Sequence, residues 1–214
     1  LANKNGSQTL KDKAWMKNAV HAIGGSDPYL QAVIYGYMNS AKDILQDTLF
    51  GARVQSFSKN SAFAVQQLTS AELQTLFAEG INILTYFGHS SANTLEFNLD
   101  DPYVYNNQGK YPMFIVNGCN AGNFFLYDTT RFSSSNQTLS EKYVLARQHG
   151  SIGFIASTHY GIVNYLNIYT NSLYSVMAGE GYGLTIGEIQ ALALKKLLDI
   201  TGYSDYYGRI HSEE

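Results

Sequence analysis

The chain has 214 residues, 45% of them hydrophobic and 14% charged, which suits one domain with a core large enough to need no disulfide or metal staple. Its formal net charge is −3 and no segment is strongly basic, so the electrostatic footprint of a nucleic-acid binder is missing. No apolar run is long enough to span a bilayer.

Residues 1–12 read as an edge or linker, and 1–214 as a single domain cut from a longer protein. A first strand is expected over 17–23, ending at Gly24-Gly25. Asp27 then has the position of a helix N-cap and Pro28 that of the first helical residue. Leu30, Val33, Ile34, Tyr37, Ala41, Ile44 and Leu45 recur at helical spacing, and that helix is expected to stop near Phe50-Gly51. The alternation over 52–57 suits a strand near a sheet edge. Thr69-Ser70-Ala71-Glu72 reads as a capping box for a helix that Gly80 stops.

Residues 81–87 form a strand-like run leading into Gly88-His89, and 98–109 read as loop. The wholly apolar Met113-Phe114-Ile115-Val116 is expected to be a strand buried on both faces, ending at Asn117-Gly118-Cys119. A polar loop over 120–137 follows. A second capping box, Thr138-Leu139-Ser140-Glu141, opens a helix to Gln148. After a strand over 151–156, two helices close the chain, one over 163–177 and one launched by the box Thr185-Ile186-Gly187-Glu188. His211-Ser212-Glu213-Glu214 reads as a solvated tail. Strands alternating with helices predict an α/β fold with a mainly parallel sheet covered on both faces.

In such a sheet, reactive side chains collect beyond the carboxyl ends of the strands. Three runs deliver polar residues there: Gly88-His89-Ser90, Gly118-Cys119-Asn120 and Ser157-Thr158-His159. Cys119 is the sole cysteine, which excludes an intrachain disulfide framework and a multi-thiolate zinc site. A thiol becomes a good nucleophile when a nearby imidazole takes its proton, and the same imidazole can protonate a leaving amine. Glycine before each residue lets the backbone turn sharply and leaves room for a substrate chain. The residues alone leave a second reading open, in which Cys119 is an inert small hydrophobe and His89 a surface residue.

The run Thr85-Tyr86-Phe87-Gly88-His89-Ser90-Ser91, with Asn117-Gly118-Cys119-Asn120-Ala121-Gly122-Asn123-Phe124, resembles the gingipain family of cysteine peptidases in the caspase-fold clan. Residues 150–158 and Gly183-Leu184-Thr185 are similar to later segments of that family, and the resemblance runs from about Lys13 to Ile200. Among relatives the motifs look closest to PorU-type proteins of the type IX secretion system. The resemblance implies a caspase-like three-layer α/β/α sandwich and a peptidase, or a sortase-like transpeptidase, acting through a thiol acyl-enzyme. It further implies a polypeptide substrate, an extracellular or bacterial cell-surface location and other secretion-system proteins as partners. Carried over by position, His89 is the general base and acid and Cys119 the nucleophile. The N–H groups of Ser90 and Cys119 would form the oxyanion hole.

Two positions depart from the family pattern. Ser90 stands where the family has glycine, and serine lacks glycine's freedom at positive φ. Ile23 stands before Gly24-Gly25, where gingipains carry the acid that orients the histidine; His21 or Asp27 could substitute, though neither has a motif behind it. Asp27 is either a helix cap or, as in arginine-specific gingipains, a specificity-pocket acid. His159, with Ser157 and Thr158, either lines the substrate pocket or is surface. No cofactor is expected. Asn98-Leu99-Asp100-Asp101 could hold calcium, which relatives bind, but it lacks the ligand spacing of a dedicated loop and reads better as a turn. Ser90 and Ile23 also support an alternative, a weak or inactive caspase-fold module that binds a partner protein. A generic hydrolase or nucleotide binder has no support, because neither a phosphate-binding Gly-rich loop nor a Gly-x-Ser-x-Gly elbow is present.

Overall fold

The computed structural model describes residues 9–47, 49–59, 70–97, 99, 101–125 and 137–213. Thr9 caps a single turn, α1 (Leu10–Lys13), where the composition suggested a linker, and a 3-10 turn (Ala14–Lys17) follows it. The strands are β1 (Asn18–Ile23), β2 (Arg53–Ser58), β3 (Ile83–Phe87), β4 (Met113–Asn117) and β5 (Gly153–Ala156). The remaining helices are α2 (Pro28–Gln46), α3 (Ser70–Glu79), α4 (Leu139–Leu145), α5 (Val163–Ala178), α6 (Ile186–Thr201) and α7 (Tyr206–Glu213).

All five strands are parallel, in the order β2-β1-β3-β4-β5. The three central ones are buried on both faces, as their continuous apolar runs require. One face packs Val20, Leu84, Tyr86, Phe114 and Val116 against Leu73 and Phe77 of α3 and Leu139 and Tyr143 of α4. The other packs Ala19, Ile83 and Ile115 against Ala41 and Leu45 of α2, Leu173 of α5 and Ala193 of α6. The result is a three-layer α/β/α sandwich. Between β3 and β4 the crossover is irregular, with Leu95, Phe97, Leu99 and Tyr105 packed into the first core where a helix would otherwise lie.

Several boundaries differ from the periodicity. α2 stops at Gln46 rather than near Gly51, because Leu45 makes its last core contact and the chain must return to start β2; Ala52 N–H bonds the Leu45 carbonyl at 2.9 Å. α4 ends at Leu145, after which Ala146 is extended and Gln148 takes a φ of 64°. The boxes at Thr138 and Thr185 both form; Thr69 lies outside the described residues. The expected solvated tail is instead α7, and His211 is buried. Its Nδ1 bonds the Tyr207 carbonyl at 2.7 Å while Nε2 accepts the Ile162 N–H at 2.9 Å.

Candidate active site

The register aligns Ile23, Phe87 and Asn117 in one row across β1, β3 and β4. Two further bonds carry the ladder one residue past that row: Gly24 N–H to the Phe87 carbonyl at 2.7 Å, and Gly88 N–H to the Asn117 carbonyl at 3.1 Å. His89 and Cys119 therefore leave neighbouring strand tips that are pinned to each other. The chain order also reverses between β1 and β3, and in sheets of this order the crevice at the reversal is where ligands bind.

The turn after β4 presents Cys119. Asn120 takes a φ of 58°, a conformation that asparagine tolerates better than most residues. Its N–H donates to the His159 carbonyl at 2.7 Å, and Gly122 N–H donates to the Ser157 carbonyl at 2.9 Å. The partly buried Cys119 Sγ lies 3.9 Å from the Gly161 carbonyl. Ser90 Oγ donates to the Cys119 carbonyl at 2.8 Å. Gly118 makes room for that hydroxyl, since a Cβ there would stand 2.2 Å from Ser90 Oγ. Ser90 itself is not at positive φ, so serine costs its backbone nothing. Among the described residues, neither the Ser90 nor the Cys119 N–H has a hydrogen-bond acceptor.

His89 is exposed, and its Nε2 lies 3.1 Å from Ser26 Oγ, in the turn after β1. Among the described residues no hydrogen bond joins the ring to Cys119. Its backbone is anchored from below by Glu96, which belongs to no motif and is not among the residues singled out above. Glu96 Oε2 accepts the Gly25 N–H at 2.8 Å and the His89 N–H at 2.9 Å, and Oε1 pairs with Lys59 Nζ at 3.1 Å. The Tyr86 hydroxyl stands between the Glu96 carboxylate and the His89 carbonyl. Glu96 is 6% exposed and Lys59 3%. Burial pushes the Glu96 carboxyl up, but the Gly25 and His89 N–H groups and Lys59 together outweigh it and leave the carboxyl below its ordinary value. Burial, then the Glu96 charge, holds the Tyr86 hydroxyl well above its usual value, so it remains protonated.

Other residues considered from the sequence lie elsewhere. Ile23 is fully buried among Ile34, Met38, Phe87 and Leu166, so its side chain belongs to the core and not to the rim. His21 is also fully buried, with Nε2 3.1 Å from the Tyr174 hydroxyl; it is a core residue that cannot orient His89. Asp27 Oδ1 caps α2, accepting from the Tyr29 and Leu30 N–H groups at 3.0 Å each. His159 is exposed at the rim, and its Nδ1 accepts the Tyr160 N–H at 2.7 Å. Of the suspected calcium segment, Asn98 and Asp100 lie outside the described residues. Asp101 caps the 3-10 turn Pro102–Val104, accepting the Tyr103 N–H at 2.9 Å. No cluster of metal-ligating side chains occurs among the described residues.

A cavity opens at the carboxyl ends of β4 and β5, between the sheet and the α5, α6 and α7 layer. Its walls include Asn117, Ile155, Ser157, Leu166, Gln190 and His211, with no Asp, Glu, Lys or Arg among the described residues. The Asn117 side-chain nitrogen is buried there and has no hydrogen-bond partner among the described residues.

The sequence model of peptidase family C25 matches residues 2–212. No curated protein matches the chain. Among solved structures, the arginine-specific cysteine proteinase gingipain R superposes with a TM-score of 0.69 at 14% identity, covering 92% of this chain and 45% of that one. The complex of Porphyromonas gingivalis RgpB pro- and mature domains gives 0.69 at 13% identity, covering 92% and 46%. A structure described only as a protease gives 0.72 at 12%, covering 95% and 47%. These likenesses show the fold, and the chain spans a little under half the length of each.

Proposed function

Because the chain belongs to peptidase family C25, we propose that it is a cysteine peptidase domain with Cys119 as nucleophile and His89 as general base and acid. The observation that carries this reading is the pinned pair of strand tips, with the Ser90 and Cys119 N–H groups without acceptors among the described residues. A peptide carbonyl placed between the tips would be attacked at carbon by the Cys119 sulfur as His89 takes the thiol proton. The oxygen, now an anion, would be held by the Ser90 and Cys119 N–H groups. His89 would return the proton to the departing amine, leaving a thioester. Water, activated by the same imidazole, would release the acid; a second amine in its place would make the domain a transpeptidase. The polypeptide substrate would be met outside the cell or at a bacterial surface, and other secretion-system proteins would be its partners there.

The test is labelling of Cys119 by a peptidyl electrophile, compared with iodoacetamide. Selective labelling by the peptide reagent that disappears in His89→Ala supports the dyad. Labelling no faster than that of a free thiol overturns it. One observation favours a second reading, a polypeptide-binding module without turnover: the ring of His89 bonds Ser26 and not the thiol. On that reading the peptide reagent binds but does not accelerate alkylation.

A further inference from the structure

The position from which an acid should orient His89 is occupied by a core isoleucine, yet a buried carboxylate does reach the histidine by another route. Building on the dyad proposed above, we infer that Glu96 is the positioning residue of this site: it fixes the backbones of Gly25 and His89 together, so that Ser26 Oγ holds the imidazole.

A single oxygen, Oε2, accepts from both backbones, at 2.8 Å and 2.9 Å. The N–H of Gly25 immediately precedes Ser26, and the N–H of His89 belongs to the residue being oriented. The 3.1 Å contact between Ser26 Oγ and His89 Nε2 thus joins two backbones that share one anchor. Space around the oxygen is reserved for it. A Cβ on Gly24 would stand 2.1 Å from Oε2 and one on Gly88 2.5 Å, and neither glycine is at positive φ. Both are therefore glycine for room rather than for backbone freedom. Tyr86 closes the remaining side, contacting the carboxylate and the His89 carbonyl.

Lys59 makes the anchor possible by neutralising the carboxylate where water cannot reach it, and its own N–H bonds the Ile23 carbonyl at 2.8 Å. An ionised acid acting on the ring directly would stabilise imidazolium. Here the carboxylate acts on the backbone, and among the described residues the ring's hydrogen-bond partner is a neutral hydroxyl. The assignment is thus one of geometry: Ser26 holds one ring nitrogen and Nδ1 is left for the reaction. Because a hydroxyl can donate or accept, the inference takes the tautomer in which Nε2–H donates to Ser26 Oγ and Nδ1 is free to accept the thiol proton.

The experiment compares Ser26→Ala, Glu96→Gln and the double variant. Two readouts that overall stability does not move are followed: the maximal labelling rate of Cys119 by the peptidyl electrophile against its half-saturating concentration, and the nitrogen-15 resonances of the His89 ring. Each single variant should lower the maximal rate about 10- to 100-fold, leave half-saturation unchanged, and replace one fixed ring tautomer by an average. The double variant should be no slower than the slower single one, because both changes break one linkage. If Glu96→Gln does not fold, the charge-free pair Lys59→Met with Glu96→Met is measured in its place. A wild-type ring already averaging between tautomers, or a folded Glu96 variant with unaltered ring resonances, overturns the inference. The ring spectrum needs no turnover, so it reports on the anchor even if selective labelling fails and the dyad falls.

Discussion

Lowering the pH should weaken this fold well before its carboxylates titrate, and the cause is one histidine. His21 lies in the middle of β1, fully buried, opposite Thr85 of β3. Burial, reinforced by the Lys42 charge, takes its pKa from 6.5 to about 3. The sign follows from linkage. Between pH 6.5 and 3 the unfolded chain binds a proton on His21 that the folded chain refuses, so stability is complete above pH 6.5 and is lost as pH falls toward 3. Each unit is worth about 1.4 kcal/mol, so at pH 5 the loss from this residue is about 2 kcal/mol. For a domain of this size that lowers the melting temperature by roughly 4–8 °C. Urea unfolding at pH 7, 6 and 5 reads it directly. His21→Leu should be less stable than wild type at pH 7 but should lose most of the slope between pH 6.5 and 5. A wild-type stability flat across that interval, or an equal slope in the variant, would refute the argument. Glu96 acts later: its folded pKa is depressed, so its contribution is present above about pH 4.5 and is lost only as pH falls further.

Gly88→Ala should cost about 3 kcal/mol or more, because its Cβ would force Glu96 and Tyr86 out of a buried ion-paired cluster; thermal melts check it, and a loss under about 1 kcal/mol would show that the cluster yields easily. Ile23→Glu should not restore a family-like triad: its side chain enters the apolar cluster of Ile34, Met38 and Phe87, so the expected result is a loss of about 3–5 kcal/mol with no gain in labelling rate. If the cavity beside Asn117 receives the substrate side chain preceding the cleaved bond, its uncharged walls favour an uncharged group. A citrulline-bearing electrophile should then label Cys119 about 10-fold faster than its arginine counterpart; the reverse order would return Asp27 to the role of pocket acid.

Much of the frame was legible because it rests on short-range rules. The buried strands announce themselves as apolar runs, Thr138 and Thr185 announce their helices through a glutamate three residues on, and Asp27 with Pro28 marks the start of α2. The tips Gly88-His89 and Gly118-Cys119 follow from where those strands end. What stayed hidden depends on partners distant in sequence. His211 looked like a polar tail because its two partners, the Ile162 N–H that donates to it and the Tyr207 carbonyl that accepts from it, are backbone groups. Glu96 was invisible for the same reason: it answers the N–H groups of Gly25 and His89, and a backbone N–H leaves no trace in residue type. Ser26 could have been found, since the Gly24-Gly25 turn places the next side chain at the carboxyl edge, but its partner across the crevice required the sheet order.

The ion pair under the site is hard to explain by stability alone. Taking Glu96 and Lys59 out of water costs several kcal/mol per ion, and an apolar pair of similar volume would often serve the fold as well or better. What an apolar pair cannot do is accept two N–H groups at one point. Gly25 and His89 belong to turns after different strands, β1 and β3, and those strands are bonded to each other only as far as Gly24 and Phe87. Beyond that row nothing in the ladder controls how far the turns splay. The carboxylate supplies the missing constraint at the first residue past the ladder, where a small change in angle would move Ser26 and the imidazole apart. A stability cost accepted at the point where the sheet stops dictating geometry is what a positioning role requires. It also fits the place of Ile23: with the histidine held through its backbone and a hydroxyl, no carboxylate is required at that strand tip, and the Ile23 side chain packs the core.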